Sequence, residues 1–429
     1  MKKIAFYLDN RAISDIDANR LEYGNPGIGG TEFLILLVST MLARNESAMS
    51  VKLWVTHQQK LPAHIQYSVV DNLSEAISQA EEELYDTFVL KHDANNIIND
   101  YIVTSTDLKF YIWCHVFICY WELDYYAKNP YVYKMVYVSR EMLDLYRDHP
   151  LYKKSVYIYN CVNLDGYRDS VKNHPFSARQ HIVTYVGGLV PFKGFHRLAR
   201  IWPDILKSVP DAQLYVIGSG RLYNSSAVLG QYGIAEKSYE EYFMRYLSKD
   251  GHILSSVHFM GRMGVEKNEI LLQTKVGVPN PTGITETFCL SAVEMQVCGA
   301  VLATVKAPGY MDTVKNGILC SDDKSLTECI VKLLKTNKSS YNEAMDFFEK
   351  EFSLNSVLLK WRELLLFENK GKDKMVNLGY RLKWLKEIIR VLGNFVPAVK
   401  YLPPVERVLL FIERRIFKKI TYMDSDVSL

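Results

Sequence analysis

The chain has 429 residues, 48% of them hydrophobic and 23% charged, which leaves room for two globular domains and excludes an intrinsically disordered protein. Its net charge is only +3, and the basic residues gather in 370–429, with 13 Lys and Arg against 6 Asp and Glu. Such a tail suits an anionic surface, and a nucleic-acid partner for the body is not expected. No run of ~18 uninterrupted apolar residues occurs, so no membrane-crossing helix is expected. Seven cysteines, Cys114, Cys119, Cys161, Cys289, Cys298, Cys320 and Cys329, are odd in number and show no CxxC spacing. Reduced thiols and a cytoplasmic setting are the natural reading, because the first apolar run is also too short for a signal peptide.

Lys2–Leu8 reads as a buried strand, followed by an irregular polar stretch to Pro26. The turn Gly27-Ile28-Gly29-Gly30 then leads into an apolar helix around Phe33–Val38. Strand, glycine turn and helix form the first unit of a doubly wound α/β domain. Further strands are expected at Val51–Val55, Thr87–Leu90, Phe110–Trp113 and Met135–Val138, alternating with helical stretches, which predicts a parallel sheet. A first domain over 1–165 closes near Tyr157–Asn163, and a polar linker runs to about Gln180. A second series, 180–345, has strands at Ile182–Val186, Leu214–Ile217, Val257–Met260, Lys275–Val278 and Ala300–Val305. Helices are expected at Phe195–Leu206 and Leu290–Val297, the latter stopped by Gly299. Residues 346–369 read as terminal helices packing back on the body, and 370–429 as a basic amphipathic tail.

Three places carry chemistry. Glu286-Thr287-Phe288-Cys289-Leu290 and Glu294 span a loop and the following helix N-terminus, where free amides suit an anion. A carboxylate in the loop can accept from sugar hydroxyls, and one in the helix can bind a ribose diol. In Gly187-Gly188-Leu189 through Lys193-Gly194, a lysine at a strand-to-helix turn can neutralise a departing phosphate. The Gly29-Gly30 turn lets backbone approach a phosphate closely.

Together these residues resemble the retaining glycosyltransferases of family 4, which have the GT-B fold, over about 1–345 and most strongly over Thr184–Cys320. Glu286 and Glu294 match that family's paired glutamates, and Lys193 its phosphate-binding lysine. Tyr159–Asn163 and Asn316–Leu319 are similar to two further family segments. The resemblance implies two Rossmann-like domains facing a cleft, with extra C-terminal helices. It also implies retaining transfer from a nucleotide-sugar, with no metal and no further cofactor. Catalytic roles fall on Glu286, Lys193 and His115. Donor binding falls on Gly29, Gly30, Gly188, Lys193, Gly261, Arg262, Glu286, Thr287, Phe288, Cys289, Leu290 and Glu294. One departure is Gly188, where the family usually carries an arginine; Arg221 or Arg262 is the expected substitute.

The segment Trp113–Tyr126, with Glu122 and Asp124, is a candidate acceptor-shaping surface. The tail alternates Lys and Arg with Trp, Phe and Leu, as an interfacial helix requires. This favours a protein peripheral at the inner face of a membrane, acting on a glycan or lipid-linked acceptor in surface-polysaccharide assembly. The main rival is a non-catalytic GT-B binding or partner subunit, for which Gly188 speaks. A sugar phosphorylase or nucleotide-sugar epimerase fits the glutamate pair less well.

Overall fold

The computed structural model describes residues 1–45, 48–93, 107–118, 120–146, 149–224 and 226–367. The basic tail 370–429 lies outside the described residues. The chain divides into two units. The first holds Met1–Glu22, Thr31–Cys161 and the described chain from Asn355 onward. The second holds Tyr23–Gly30 and Val162–Leu354.

Among the described residues the first unit has seven strands: β1 (Lys2–Leu8), β2 (Met49–Val55), β3 (Gln66–Val69), β4 (Thr87–Lys91), β5 (Lys109–Cys114), β6 (Val132–Tyr137) and β7 (Ser155–Tyr157). They form one sheet in the order β3-β2-β1-β4-β5-β6-β7, every pair parallel. The central strands are buried on both faces, as four consecutive buried residues in β4 and five in β5 attest. Helix Gly30–Asn45 connects β1 to β2 and is longer than the apolar core Phe33–Val38 suggests. Helix Leu354–Phe367 returns the chain to this unit. Its Trp361 is fully buried, with its ring 4.7 Å from that of Trp113 and 6.5 Å from that of Phe6.

The second unit has β8 (Ile182–Val186), β9 (Gln213–Ile217), the short hairpin β10 (Ser248–Lys249) and β11 (His252–Ile253), β12 (Val257–Gly261), β13 (Val276–Gly277), β14 (Val301–Val305) and β15 (Gly317–Cys320). Its main sheet runs β12-β9-β8-β13-β14-β15, again all parallel. Both sheets therefore carry the 3-2-1-4-5-6 order of a Rossmann-like unit. In such sheets the order reverses beside the first strand, and ligands bind outside the strand ends at that reversal. In the second unit the reversal lies between β8 and β13.

The stretch expected as a linker up to Gln180 is structured and belongs to the second unit. Helix Tyr167–Asn173 buries Val171, and a single turn Phe176–Ala178 buries Phe176. Arg179 explains why. Its buried guanidinium donates to the carbonyls of Thr274 at 2.6 Å, Cys298 at 2.8 Å and His174 at 3.1 Å. The Thr274 and Cys298 carbonyls, which precede β13 and β14, thus tie the stretch to the middle of the sheet.

Candidate active site

The floor of the site is Tyr185, the fourth residue of β8. It is buried, and its hydroxyl donates to the carbonyls of Gly188 at 3.2 Å and Lys193 at 3.0 Å. The loop above it is tied sideways to the next strand end, Gly187 N–H to the Ile217 carbonyl at 3.0 Å and Leu189 N–H to that of Ser219 at 3.1 Å. Pro191–Lys193 make one tight turn, and Gly194 at φ +72° opens helix Phe195–Ser208. A Cβ on Gly194 would lie 2.5 Å from the Thr282 methyl, so both the backbone angle and the space require glycine.

The loop leaving β13 supplies the other wall. Asn280 is buried, and its amide donates to Glu286 Oε1 at 2.7 Å and to the Ile284 carbonyl at 2.9 Å. Its carbonyl oxygen accepts from the Thr282 hydroxyl at 2.6 Å and N–H at 3.1 Å. The Thr282 hydroxyl also lies 3.1 Å from the Phe192 carbonyl, which links this loop to the one after β8. Arg197 donates to the Pro281 carbonyl at 2.7 Å, and Arg197 and Arg200 both pair with Asp323.

These ties bring Lys193 Nζ to 2.6 Å from Glu286 Oε1, with the two side chains 19% and 6% exposed. Burial alone would pull the Lys193 pKa down, but the Glu286 carboxylate outweighs it and holds the ammonium above the usual lysine range. A permanently charged lysine thus sits at the switch point of the sheet, close to neutralised by its partner.

Helix Leu290–Val297 begins beside this pair, after Cys289 at φ +68°. The Ala292 N–H donates to the Cys289 carbonyl at 3.1 Å, and by helix geometry those of Leu290 and Ser291 have no intrahelical acceptor. The Glu286 carbonyl is held by the Gly309 N–H at 3.1 Å. Thr287 and Phe288 are buried, and the Phe288 ring packs 5.0 Å from Phe352, so that side chain serves the core. Burial pushes the Cys289 thiol up to about 12. Glu294 Oε1 lies 3.3 Å from Nζ of the buried Lys267.

Gly29, Gly30, Gly188, Gly261 and Arg262, also expected at the donor, all belong to this same unit. A Cβ built on Gly30 would lie 4.0 Å from a Leu290 methyl, at ordinary van der Waals distance. Gly261 ends β12, and Arg262 donates to the Gly27 carbonyl. Arg221, one of the two expected substitutes at Gly188, instead donates to the Ala227 carbonyl of its own loop at 3.1 Å.

His115 belongs to the first unit, just past the end of β5. Its ring is 4.7 Å from that of Trp113, and burial, with Lys91 nearby, lowers its pKa to about 3, so the imidazole is neutral. In the same unit His92 follows β4, shares a hydrogen bond of 2.8 Å with the Tyr126 hydroxyl and lies 3.4 Å from the buried Glu122. Asp124 instead pairs with His149 at 3.0 Å. Among the described residues no group of three or more His, Cys, Asp or Glu is placed to hold a metal ion.

Sequence reading misses Tyr185, Asn280 and Lys267 as site residues. A signal for Asn280 is present: an asparagine between two prolines at a strand end is a turn with a directed amide. Lys267 gives none, since its partner lies in another helix.

Residues 167–347 match the family described as glycosyl transferases group 1. An uncharacterized glycosyltransferase of Haemophilus influenzae is 24% identical over 203 residues, 45% of this chain and 51% of its own length. The chain thus spans about half the length of that curated relative. Among solved structures, HepE of Anabaena in complex with UDP and glucose aligns with a TM-score of 0.59 at 15% identity, over 85% of this chain and 99% of its own. Sucrose-phosphate synthase of Thermosynechococcus elongatus aligns equally, with a TM-score of 0.59 at 15% identity, over 85% and 98%. The fold is that of the GT-B glycosyltransferases, and its second unit carries the match to their group 1 family.

Proposed function

We propose that this chain transfers a sugar from a nucleoside-diphosphate sugar to a glycan or lipid-linked acceptor, with retention of configuration. The observation that carries the reading is the Lys193–Glu286 pair at the β8–β13 switch point, 2.6 Å apart and beside a helix N-terminus. In this reading Lys193 and the amides of Leu290 and Ser291 hold the diphosphate and stabilise it as it leaves. Glu286, oriented by Asn280, accepts from sugar hydroxyls, and Glu294, held by Lys267, binds the ribose diol. Stabilisation of the leaving group in this reading comes from the Lys193 ammonium and the helix-end amides, and the proposed reaction includes no metal. Gly29-Gly30 and Arg262 complete the donor surface, and His115 is kept as the third proposed catalytic residue.

A role in surface-polysaccharide assembly at the inner membrane face rests on the composition of the tail, which lies outside the described residues. No helix among the described residues is long and apolar enough to cross a membrane. Cosedimentation with anionic vesicles, lost on truncation after Lys370, would support this placement, and unchanged binding would remove it.

The deciding experiment is a donor screen. The purified chain is mixed with UDP-, GDP- and other nucleotide-sugars, and thermal shift and slow donor hydrolysis are read. One donor should stabilise the protein and be hydrolysed, with both effects lost in Glu294→Ala and Lys193→Ala. Stabilisation without hydrolysis or transfer would make it a binding subunit, and no stabilisation by any donor would refute the reading.

A further inference from the structure

Position 188 is a buried glycine in the loop that carries Lys193, yet the space beside it is filled. A Cβ on Gly188 would lie 2.6 Å and 3.2 Å from two ring carbons of Tyr223, and 3.5 Å from a Leu222 methyl. Tyr223 comes from the loop after β9, so its ring reaches across to occupy the room that a side chain at 188 would take. It packs against Phe192, the two ring centroids 5.6 Å apart. Lys193 Nζ in turn lies 5.9 Å from the Phe192 centroid.

Core packing does not account for these rings. Phe192 is 39% and Tyr223 51% exposed, two adjacent aromatics left toward solvent beside a buried ion pair. Tyr223 thus carries its phenol on the loop beside the one that holds Lys193, whose charge Glu286 already balances. A phenol adds a directional hydrogen bond to an anion without desolvating a second cation.

The geometry points to Tyr223 as a donor-contacting residue, whose hydroxyl donates to the diphosphate of a bound nucleotide in place of any side chain at position 188. This rests on the nucleotide-sugar reading above and goes beyond it in assigning the contact. Gly188 and Tyr223 form a matched pair: the glycine exists to admit the ring. Discrimination between nucleoside diphosphates and monophosphates then depends on Tyr223 as well as on Lys193.

The test is isothermal titration of the full chain with UDP, GDP, UMP and GMP. Tyr223→Phe keeps the ring and removes only the hydroxyl. It should weaken the diphosphate that binds by about tenfold, while the monophosphate changes by less than about twofold. Gly188→Arg alone should lose diphosphate binding, because its side chain meets the Tyr223 ring. Gly188→Arg with Tyr223→Ala should return to within about threefold of wild type, a guanidinium replacing the phenol. Melting curves of each variant check that the fold is retained. Equal losses for mono- and diphosphate in Tyr223→Phe, or no loss, would overturn the assignment, as would failure of the double variant to recover. If wild type binds neither UDP nor GDP, the donor reading itself falls and takes this inference with it. If Lys193→Ala abolishes binding while Tyr223→Phe does nothing, only the inference falls.

Discussion

Asn280 offers the sharpest test of how Glu286 is held. Its amide lies 2.7 Å from the same Glu286 oxygen that Lys193 contacts at 2.6 Å. The substitution Asn280→Asp keeps the shape and the two hydrogen bonds from Thr282, but loses the donor to the Ile284 carbonyl and sets a carboxylate oxygen against a carboxylate oxygen. At an effective dielectric of ~20, two charges about 4 Å apart repel by about 4 kcal/mol, or about 3 pKa units. Lys193 offsets part of this, so the introduced carboxyl should hold its proton with a pKa raised above the usual carboxylate range. The sign follows directly. Below that pKa the new carboxyl is protonated and donates to Glu286 as the amide does; above it the two carboxylates repel and Glu286 is displaced. Donor affinity of Asn280→Asp should therefore be highest near pH 5 and fall by about tenfold to a hundredfold by pH 8. Asn280→Ala should be weak at every pH, losing a hydrogen bond to a charged group worth about 1.5–3 kcal/mol. Titration of the nucleotide-sugar at four pH values, with wild type alongside, gives the answer. A pH profile for Asn280→Asp parallel to wild type would refute the claim that this amide orients Glu286.

Tyr185→Phe removes the donor to the Gly188 and Lys193 carbonyls, 3.2 and 3.0 Å away, and should cost about 1–2 kcal/mol of stability with a severalfold weaker donor affinity, read by denaturant melts and titration. Gly309→Ala places a Cβ 2.6 Å from the Phe288 nitrogen and 2.7 Å from the Thr287 carbonyl carbon, backbone that cannot yield. Turnover should fall at least about tenfold with a lowered Tm, since the segment carrying Glu286 must shift. His115, with its pKa lowered to about 3 by burial, should make the fold sensitive to acid. The unfolded chain takes up a proton near pH 6.5 that the folded one refuses, so stability is lost as pH falls below about 6.5, by about 2 kcal/mol at pH 5. Urea melts of wild type and His115→Gln between pH 8 and 5 should show a smaller slope for the variant; equal slopes would show that His115 is not the group that titrates.

What can be seen in the sequence and what cannot divides along one physical line. Strand β1 and helix Leu290–Val297 fall where their apolar runs and flanking residues put them, because those signals are local. The 3-2-1-4-5-6 order is compatible with strands alternating with helices. Glu286 and Lys193 stand out because each lies in a short segment whose pattern is itself distinctive. The residues that make those two work do not stand out. Tyr185 alternates as any strand residue does, and only the tertiary fold turns its hydroxyl up to the carbonyl of Lys193, eight residues on. Thr282 meets the Phe192 carbonyl across 90 residues, and Arg179 meets the Thr274 carbonyl across 95. Gly188 is the clearest case. Read locally it is the loss of a cation, and read in three dimensions it is the gap that Tyr223 fills from 35 residues away. A glycine in a loop is thus no measure of what the loop lacks. The ligand would meet the surface that the neighbouring strand ends supply, and those partners are fixed by the order of the sheet, not by adjacency in the chain.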